Sequence, residues 1–331
     1  MNPNVTVTTP DTGQEEAVMT RLTDQHVTEV ETALASDGAA RSTVVASWSR
    51  SLRLHGLDPA RRIRPDRMTE VELTEARDRM GPVIRIAAPS LERLFQAVGG
   101  VGCCVLLSDA EGVPVDRRGA AGDDAVFAEW GLWTGTRWSE AAQGTNGIGT
   151  SLIEQRSVTI HRNQHFLSSN TVLSCMSAPI WGPEGQLVGA LDVSSARSDL
   201  TEGFTRLIAQ SVAEAARLIE AETFRAAYAN ARILIVPGVE GQAALLAVDQ
   251  DDLVIGATRA ARLSLDLQGD PARNPRPAAD LLGKPLPERL EDGERAVLQR
   301  ALARAGGNAS AAARSLGISR ATFHRKLGPK I

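Results

Sequence analysis

The spacing of apolar residues changes along the chain, and each change marks a different predicted element. Residues 1–38 are polar, rich in Thr, Glu and Asp, and carry no clear stripe. They predict a partly disordered segment, with the first dozen residues the least ordered. From 39 to 98 the period is helical, interrupted at Gly56-Leu-Asp-Pro59 and by Pro82 and Pro89. Val44, Val45, Trp48 and Leu52 form one stripe there, which assigns Trp48 to core packing. The period then shortens. Cys103–Ser108 and Val113–Val115 flank a turn at Asp109-Ala-Glu-Gly112, and Ser174–Ile180 and Gln186–Ser194 flank another at 182–185. Two such hairpins predict an antiparallel sheet over 99–200.

Between the hairpins lies a glycine-rich stretch, Gly135-Thr-Arg-Trp-Ser-Glu-Ala-Ala-Gln-Gly-Thr-Asn-Gly-Ile-Gly-Thr150. It lacks the Gly-Lys-Ser/Thr ending of a phosphate-binding loop and does not follow an evident βαβ strand. It reads better as a loop-to-helix transition, with Thr145, Asn146 and Thr150 as caps. Leu207, Ile208, Val212, Leu218 and Ile219 then recur at three and four, predicting a connecting and dimerising helix over 201–231. Strand-like Leu245–Val248 and Leu253–Gly256 surround a turn at 249–252 within 232–284. A linker, Gly269 through Pro287, leads out of that segment, marked by Pro271, Pro275, Pro277, Pro285 and Pro287.

The last region, 285–331, returns to helical spacing. Val297, Leu298, Ala301 and Leu302 predict a helix that Gly306-Gly307 stops. Asn308 or Ser310 caps the next helix, with Ala311, Ala312 and Leu316 inward. Gly317 supplies a turn, and Ser319 caps a last helix carrying Thr322, Phe323 and Leu327 at its core and edge. Arg320, Ala321, His324 and Arg325 point outward. Helix, turn and helix at this spacing form a device for reading DNA: Ser319, Arg320 and His324 are placed for base edges, and Arg314, Lys326 and Lys330 for phosphates.

Charge strengthens that reading. Leu286–Ile331 carries a balance of +5 and the rest of the chain −9, and every charged side chain from Gly306 onward is basic. A basic tail on an acidic body is the footprint of a nucleic-acid module on a sensor. The chain has no long uncharged apolar run, so no membrane span is expected. Three cysteines make no disulfide framework, and a cytoplasmic location follows as the expectation.

Two resemblances add to these readings. The tail resembles the Fis-type helix-turn-helix through Gly307-Asn308, Gly317-Ile318-Ser319-Arg320, Thr322 and Arg325-Lys326-Leu327. In that family the position of Arg320 contacts a base, and those of Asn308, Thr322, Arg325 and Lys326 touch the backbone or nearby bases. Such modules bind as dimers, which implies a homodimer on an inverted-repeat operator in double-stranded DNA. The body resembles the GAF domain of regulators of the acetoin-catabolism-activator type. The match rests on Ser47-Trp-Ser-Arg-Ser51, Gly56-Leu-Asp-Pro59, Gly144–Thr150, His165-Phe166, and Ala178-Pro-Ile180 through Gly189-Ala-Leu-Asp192. In that family the domain is the module for a small-molecule effector; the resemblance transfers no ligand residues. Residues 232–284 resemble a short PAS domain. The implied fold is α+β: a GAF-like antiparallel sheet with flanking helices, a PAS-like segment and an all-α C-terminal helix-turn-helix. Relatives of this type often carry an ATPase that remodels sigma-54 polymerase before the tail. Only the linker stands there in this sequence, so regulation without ATP hydrolysis is expected.

Two chemical alternatives involve the cysteines and histidines. Cys103, Cys104 and Cys175 would serve a redox sensor or a GAF-type methionine sulfoxide reductase only with exposed thiols of lowered pKa. Their apolar strands favour buried, inert cysteines. His161 and His165, with Cys175, lack a clear third ligand spacing, so no metal, cofactor or catalytic residue is assigned.

Overall fold

The computed structural model describes residues 12–36, 42–61, 66–236, 244–283 and 290–327. Its contacts divide the chain into two units, Met1–Pro275 and Arg276–Ile331.

The first unit begins with α1 (Thr12–Ala35) and α2 (Thr43–Ser49), the latter running on through a π-helical stretch, Arg50–Leu54. The 24-residue α1 occupies part of the polar segment 1–38; residues 1–11, nearly all of the dozen expected to be least ordered, lie outside the described residues. The sequence of α1 shows no stripe because only one narrow edge is covered: His26 and Val30 are buried, and Val30 packs with Trp48, Phe166 and Leu167. Next come α3 (Glu70–Met80) and α4 (Pro82–Val98). Thr69 and Glu72 close a capping box on α3. Pro82 opens α4, where its missing N–H costs nothing. Pro89, expected to interrupt the helix, lies inside α4 instead. It is exposed, and so is Arg85, whose carbonyl it leaves unpaired, so water can satisfy that group.

The five-stranded sheet follows: β1 (Cys103–Asp109), β2 (Pro114–Arg118), then α5 (Asp124–Glu129), α6 (Glu140–Gln143) and α7 (Gly147–Glu154) before β3 (Val158–His161), β4 (Ser174–Trp181) and β5 (Leu187–Ser195). The strand order is β2-β1-β5-β4-β3, and every pairing in it is antiparallel. Strand alternation divides the core in two. Cys103, Val105, Leu107, Met176, Ile180, Leu191 and Val193 face α4 and the long α8 (Glu202–Ala227). Cys104, Leu106, Cys175 and Ala190 face the other way, against Phe127, Trp138, Ile148 and Leu152. On α8, Thr205, Ile208, Val212, Ala216 and Ile219 recur at three and four as the buried stripe, while Leu207 and Leu218 stay exposed.

A smaller antiparallel meander, β6 (Arg232–Val236), β7 (Ala244–Val248) and β8 (Leu253–Ala257), with α9 (Arg259–Ser264), closes this unit. It packs on the end of α8 through Ala221 and Phe224 against Leu245 and Ala247. The α+β architecture expected from the sequence is present.

The second unit holds a two-residue strand β9 (Arg276–Pro277) and α10 (Ala278–Leu281) in what was expected to be linker, then α11 (Leu290–Arg304), α12 (Ala309–Ser315) and α13 (Arg320–Leu327). Leu298, Ala301, Ala312, Ala313 and Phe323 form its core. The inward pair on α12 is Ala312-Ala313, with Ala311 only half-buried, a rotation of one residue from the expected face.

Candidate nucleic-acid interface and the polar core of the first unit

Helix α13 is positioned by its caps and one anchor. Gly306 and Gly307 hold φ of 60° and 85° where α11 ends, and Gly317 holds 65° between α12 and α13, a left-handed conformation that side chains with a Cβ disfavour. Asn308, rather than Ser310, caps α12: its Oδ1 accepts from the Ser310 and Ala311 amides at 3.1 Å each. Ser310 itself is half-buried. Ser319 caps α13, its hydroxyl accepting from the Thr322 amide at 3.1 Å and lying 2.9 Å from the Thr322 hydroxyl. Phe323 is fully buried, which turns Arg320, Ala321, His324 and Arg325 to solvent. Arg314 is exposed in the last turn of α12. Lys326, read from sequence as a phosphate contact, makes an ion pair with Glu294 of α11. Lys330 lies outside the described residues.

The core of the first unit contains a polar constellation that the sequence showed only in pieces. Ser47 of α2 donates to Glu140 Oε1 at 2.5 Å and its hydroxyl lies 2.7 Å from Thr145 Oγ1. Arg50 grips Glu140 through Nε at 2.8 Å and Nη2 at 2.9 Å, and also pairs with Glu154 at 2.8 Å. The Ser-Trp-Ser-Arg motif therefore docks onto the glycine-rich stretch through a carboxylate whose side chain is 1% exposed. Trp48 joins by donating its indole N–H to the Gln164 carbonyl at 2.9 Å. Asn146 caps α7 by accepting from the Gly149 amide at 2.9 Å, as expected for a loop-to-helix transition. Glu140 was not singled out from sequence, although it lies in the same stretch; the charged Arg50 beside the buried Ser47 and Trp48 was the available clue.

Deeper on the same sheet face sit His165, Cys175, Asp192 and Ser194. The His165 Nδ1 lies 2.9 Å from the Arg162 carbonyl and so carries the proton; Nε2 faces the Cys175 thiol at 3.4 Å. Burial lowers the His165 pKa to about 4 and pushes the Cys175 thiol up, so both are neutral. Ser194 donates to Asp192 Oδ2 at 2.6 Å and lies 3.1 Å from Cys175 Sγ. Asp192 Oδ1 has no partner. Burial raises this carboxyl to about 7, against the lowering effect of the Ser194 and Ser177 hydroxyls. Gly147 leaves room for it: a Cβ there would come within 2.6 Å of both Asp192 Oδ1 and Cys175 Cβ. Burial also raises the Cys103 and Cys104 thiols, the reverse of what a nucleophilic thiolate needs.

Comparison with known proteins bears on both regions. Residues 19–216 match the family model described as MimR, N-terminal domain, and residues 289–328 match that of the bacterial regulatory protein, Fis family. The acetoin catabolism regulatory protein of Cupriavidus necator is 33% identical over 292 residues, covering 83% of this chain and 43% of that protein. The propane 2-monooxygenase operon transcriptional activator MimR of Mycolicibacterium smegmatis is 31% identical over 47% of this chain and 26% of its own length. The acetoin dehydrogenase operon transcriptional activator AcoR of Bacillus subtilis is 28% identical over 46% and 25%. The chain thus spans less than half the length of each of these relatives. Among solved structures, a chain of the E. coli DhaR(N)–DhaL complex superposes with a TM-score of 0.51 at 18% identity, covering 80% of this chain and 85% of that one, a likeness of fold alone. No helix among the described residues is long and apolar enough to cross a membrane.

Proposed function

Since the chain belongs to the family defined by the MimR N-terminal domain and ends in a Fis-family module, we propose that it is a DNA-binding transcriptional regulator whose GAF-like domain senses a small effector. One observation carries the reading: α13 is capped by Ser319 and anchored by Phe323 so that Arg320 and His324 stand exposed on its first turns. The leading residues of a recognition helix are those that reach base edges in the major groove. Arg314 and Arg325 are exposed for phosphates. Lys326 would have to leave Glu294 to join them, or serve to fix α13 against α11.

The protein acts as a homodimer in this reading, because one short helix reads too few bases and a two-fold operator doubles the contact. Leu207 and Leu218, exposed on α8 and three turns apart, lie on one face and offer the seam. Regulation proceeds without ATP hydrolysis by this chain. Effector binding shifts the balance between two dimer geometries, and α8 carries the difference.

The test is a mobility shift and footprint on DNA from the protein's own genomic neighbourhood, at two salt concentrations, with Arg320→Ala alongside. A discrete two-fold footprint is expected, with Arg320→Ala losing about 1–3 kcal/mol of discrimination. Binding indifferent to sequence and to Arg320 would refute the reading. Protein that stays monomeric at micromolar concentration, with and without DNA, would refute its dimeric part.

A further inference from the structure

Away from the polar core, on the opposite face of the sheet, a cleft of about 490 Å³ opens beside the last turns of α8. Met80, Val83 and Ile86 from the α3–α4 corner and Val188 from β5 give it apolar walls. Thr223 and Ala227, four residues apart on α8, close one side, and Asp109 at the β1–β2 turn lies on the other with Arg79. Its size is that of a small-molecule site.

Two buried polar atoms on this lining have no hydrogen-bond partner, Asp109 Oδ2 and Thr223 Oγ1, and both residues are 5% exposed. Asp109 is held rigidly, since its Oδ1 accepts from the Val113 amide at 2.9 Å and the Glu111 amide at 3.0 Å. Oδ2 is left over, with the half-exposed Arg79 guanidinium at 3.8 Å as its ion-pair neighbour. Thr223 departs from the habit of its own helix. Thr205 and Ser211 bond back to the carbonyls four residues earlier, at 3.0 and 3.1 Å, whereas the Thr223 hydroxyl does not. Buried polar groups without partners are costly and rare, and two on one cleft point to an occupant.

We propose that this cleft binds a small, uncharged, mainly hydrocarbon molecule bearing a hydroxyl group. The ligand hydroxyl donates to Asp109 Oδ2, the Thr223 hydroxyl donates to a ligand oxygen, and the hydrocarbon body fills the wall of Met80, Val83, Ile86 and Val188. An anion is disfavoured because the lining carries two carboxyl groups, Asp109 and Glu111, against one cation, Arg79. The position bears on signalling: Thr223 lines the cleft while its neighbour Phe224 is fully buried against the β6–β8 meander. Occupancy therefore acts on the helix segment that joins the two sheets. The proposal deepens the effector-sensing part of the function above and stands apart from the DNA-reading part.

Saturation-transfer NMR on the full chain tests it, with cyclohexanol as probe and methoxycyclohexane, its methyl ether, as the version without a donor. Cyclohexanol should bind with a dissociation constant of about 1 mM or tighter, and the ether at least about tenfold more weakly. Ala227→Trp, at an exposed position, fills the mouth and should abolish binding. Thr223→Val should weaken it severalfold, and Asp109→Asn by about tenfold or more. Thr223→Val keeps the test informative even where Asp109→Asn disturbs the turn. No cyclohexanol binding, or binding equal in the wild type and in Ala227→Trp, overturns the proposal. Either failure leaves operator recognition by Arg320 untouched, so the two readings fall separately.

Discussion

Replacing Asp192 with Asn should make the first unit more stable, and by an amount that depends on pH. The carboxyl is 1% exposed, one oxygen is unpartnered, and its pKa is raised from 3.8 to about 7 by burial. In the unfolded chain it loses its proton near pH 4 and in the folded protein near pH 7, so between those values the folded state holds more protons. Stability contributed by the neutral group is complete below pH 4 and is lost as pH rises towards 7. Each tenfold change in proton affinity is worth about 1.4 kcal/mol, which puts the full cost of charging this site on the order of 4 kcal/mol. About 2–3 kcal/mol of it falls between about pH 5 and about pH 8. Asn cannot ionise and can still accept from Ser194. The measurement is urea unfolding of both proteins at the two pH values, followed by tryptophan fluorescence. All five tryptophans (Trp48, Trp130, Trp133, Trp138 and Trp181) belong to the first unit, so the signal reports that unit alone. Glu220, also raised to about 7 by burial, is common to both proteins and cancels in the difference. The advantage of Asp192→Asn should grow by about 2–3 kcal/mol from the lower pH to the higher. A difference that does not change with pH would mean that Asp192 is ionised in the folded core, and the account of its burial would be wrong.

Three other substitutions probe the framework. Gly147→Ala should destabilise the first unit by about 1–3 kcal/mol, because the added methyl would overlap Asp192 and Cys175; an unchanged urea midpoint would show that α7 can move aside freely. Asn308→Ala should cost the second unit about 1 kcal/mol through the lost cap, read from the far-UV melt; no change would mean that the two amides find equivalent partners in water. Phe323→Ala removes the largest side chain in the small α11–α13 core and should cost about 3–5 kcal/mol, abolishing DNA binding while the fluorescence of the first unit stays as it was. Retained operator binding by that variant would contradict the role of Phe323 as the anchor of α13.

What could be read from the sequence follows from which contacts are local. Strands β1, β4 and β5 were legible because two buried faces and a tight turn leave runs of apolar residues punctuated by glycine. The helix-turn-helix was legible for the same reason: Gly306, Gly307, Gly317, Asn308 and Ser319 act on their own neighbours. Helix α1 was not, because its buried edge is set by Trp48 of the next helix and by partners more than a hundred residues away; His26 Nε2, for instance, meets the Phe166 carbonyl at 3.1 Å. Pro89 misled because tolerance of proline depends on which side of the helix meets water, and that is fixed by the packing of α4 on the sheet. The role of Glu140 was hidden because its partners, Ser47 and Arg50, come from another part of the chain. Whether Asn308 or Ser310 caps α12 could not be decided from residue type, since both favour that position.

The junction between α2 and Glu140 also sets a schedule for the chain's birth. Ser47 and Arg50 lie 93 and 90 residues before their carboxylate partner, and Trp48 lies 116 before the carbonyl that receives its indole N–H. A ribosome adds roughly 5–20 residues each second, so these polar partners of α2 are made about five to twenty seconds after it. Through that interval the Val44–Trp48 stripe has only α1 and Leu57 to pack on, and lacks Phe166 and Leu167. The amino-terminal part of this protein is synthesised first and becomes native late, and that is the window in which a nascent chain most needs a chaperone.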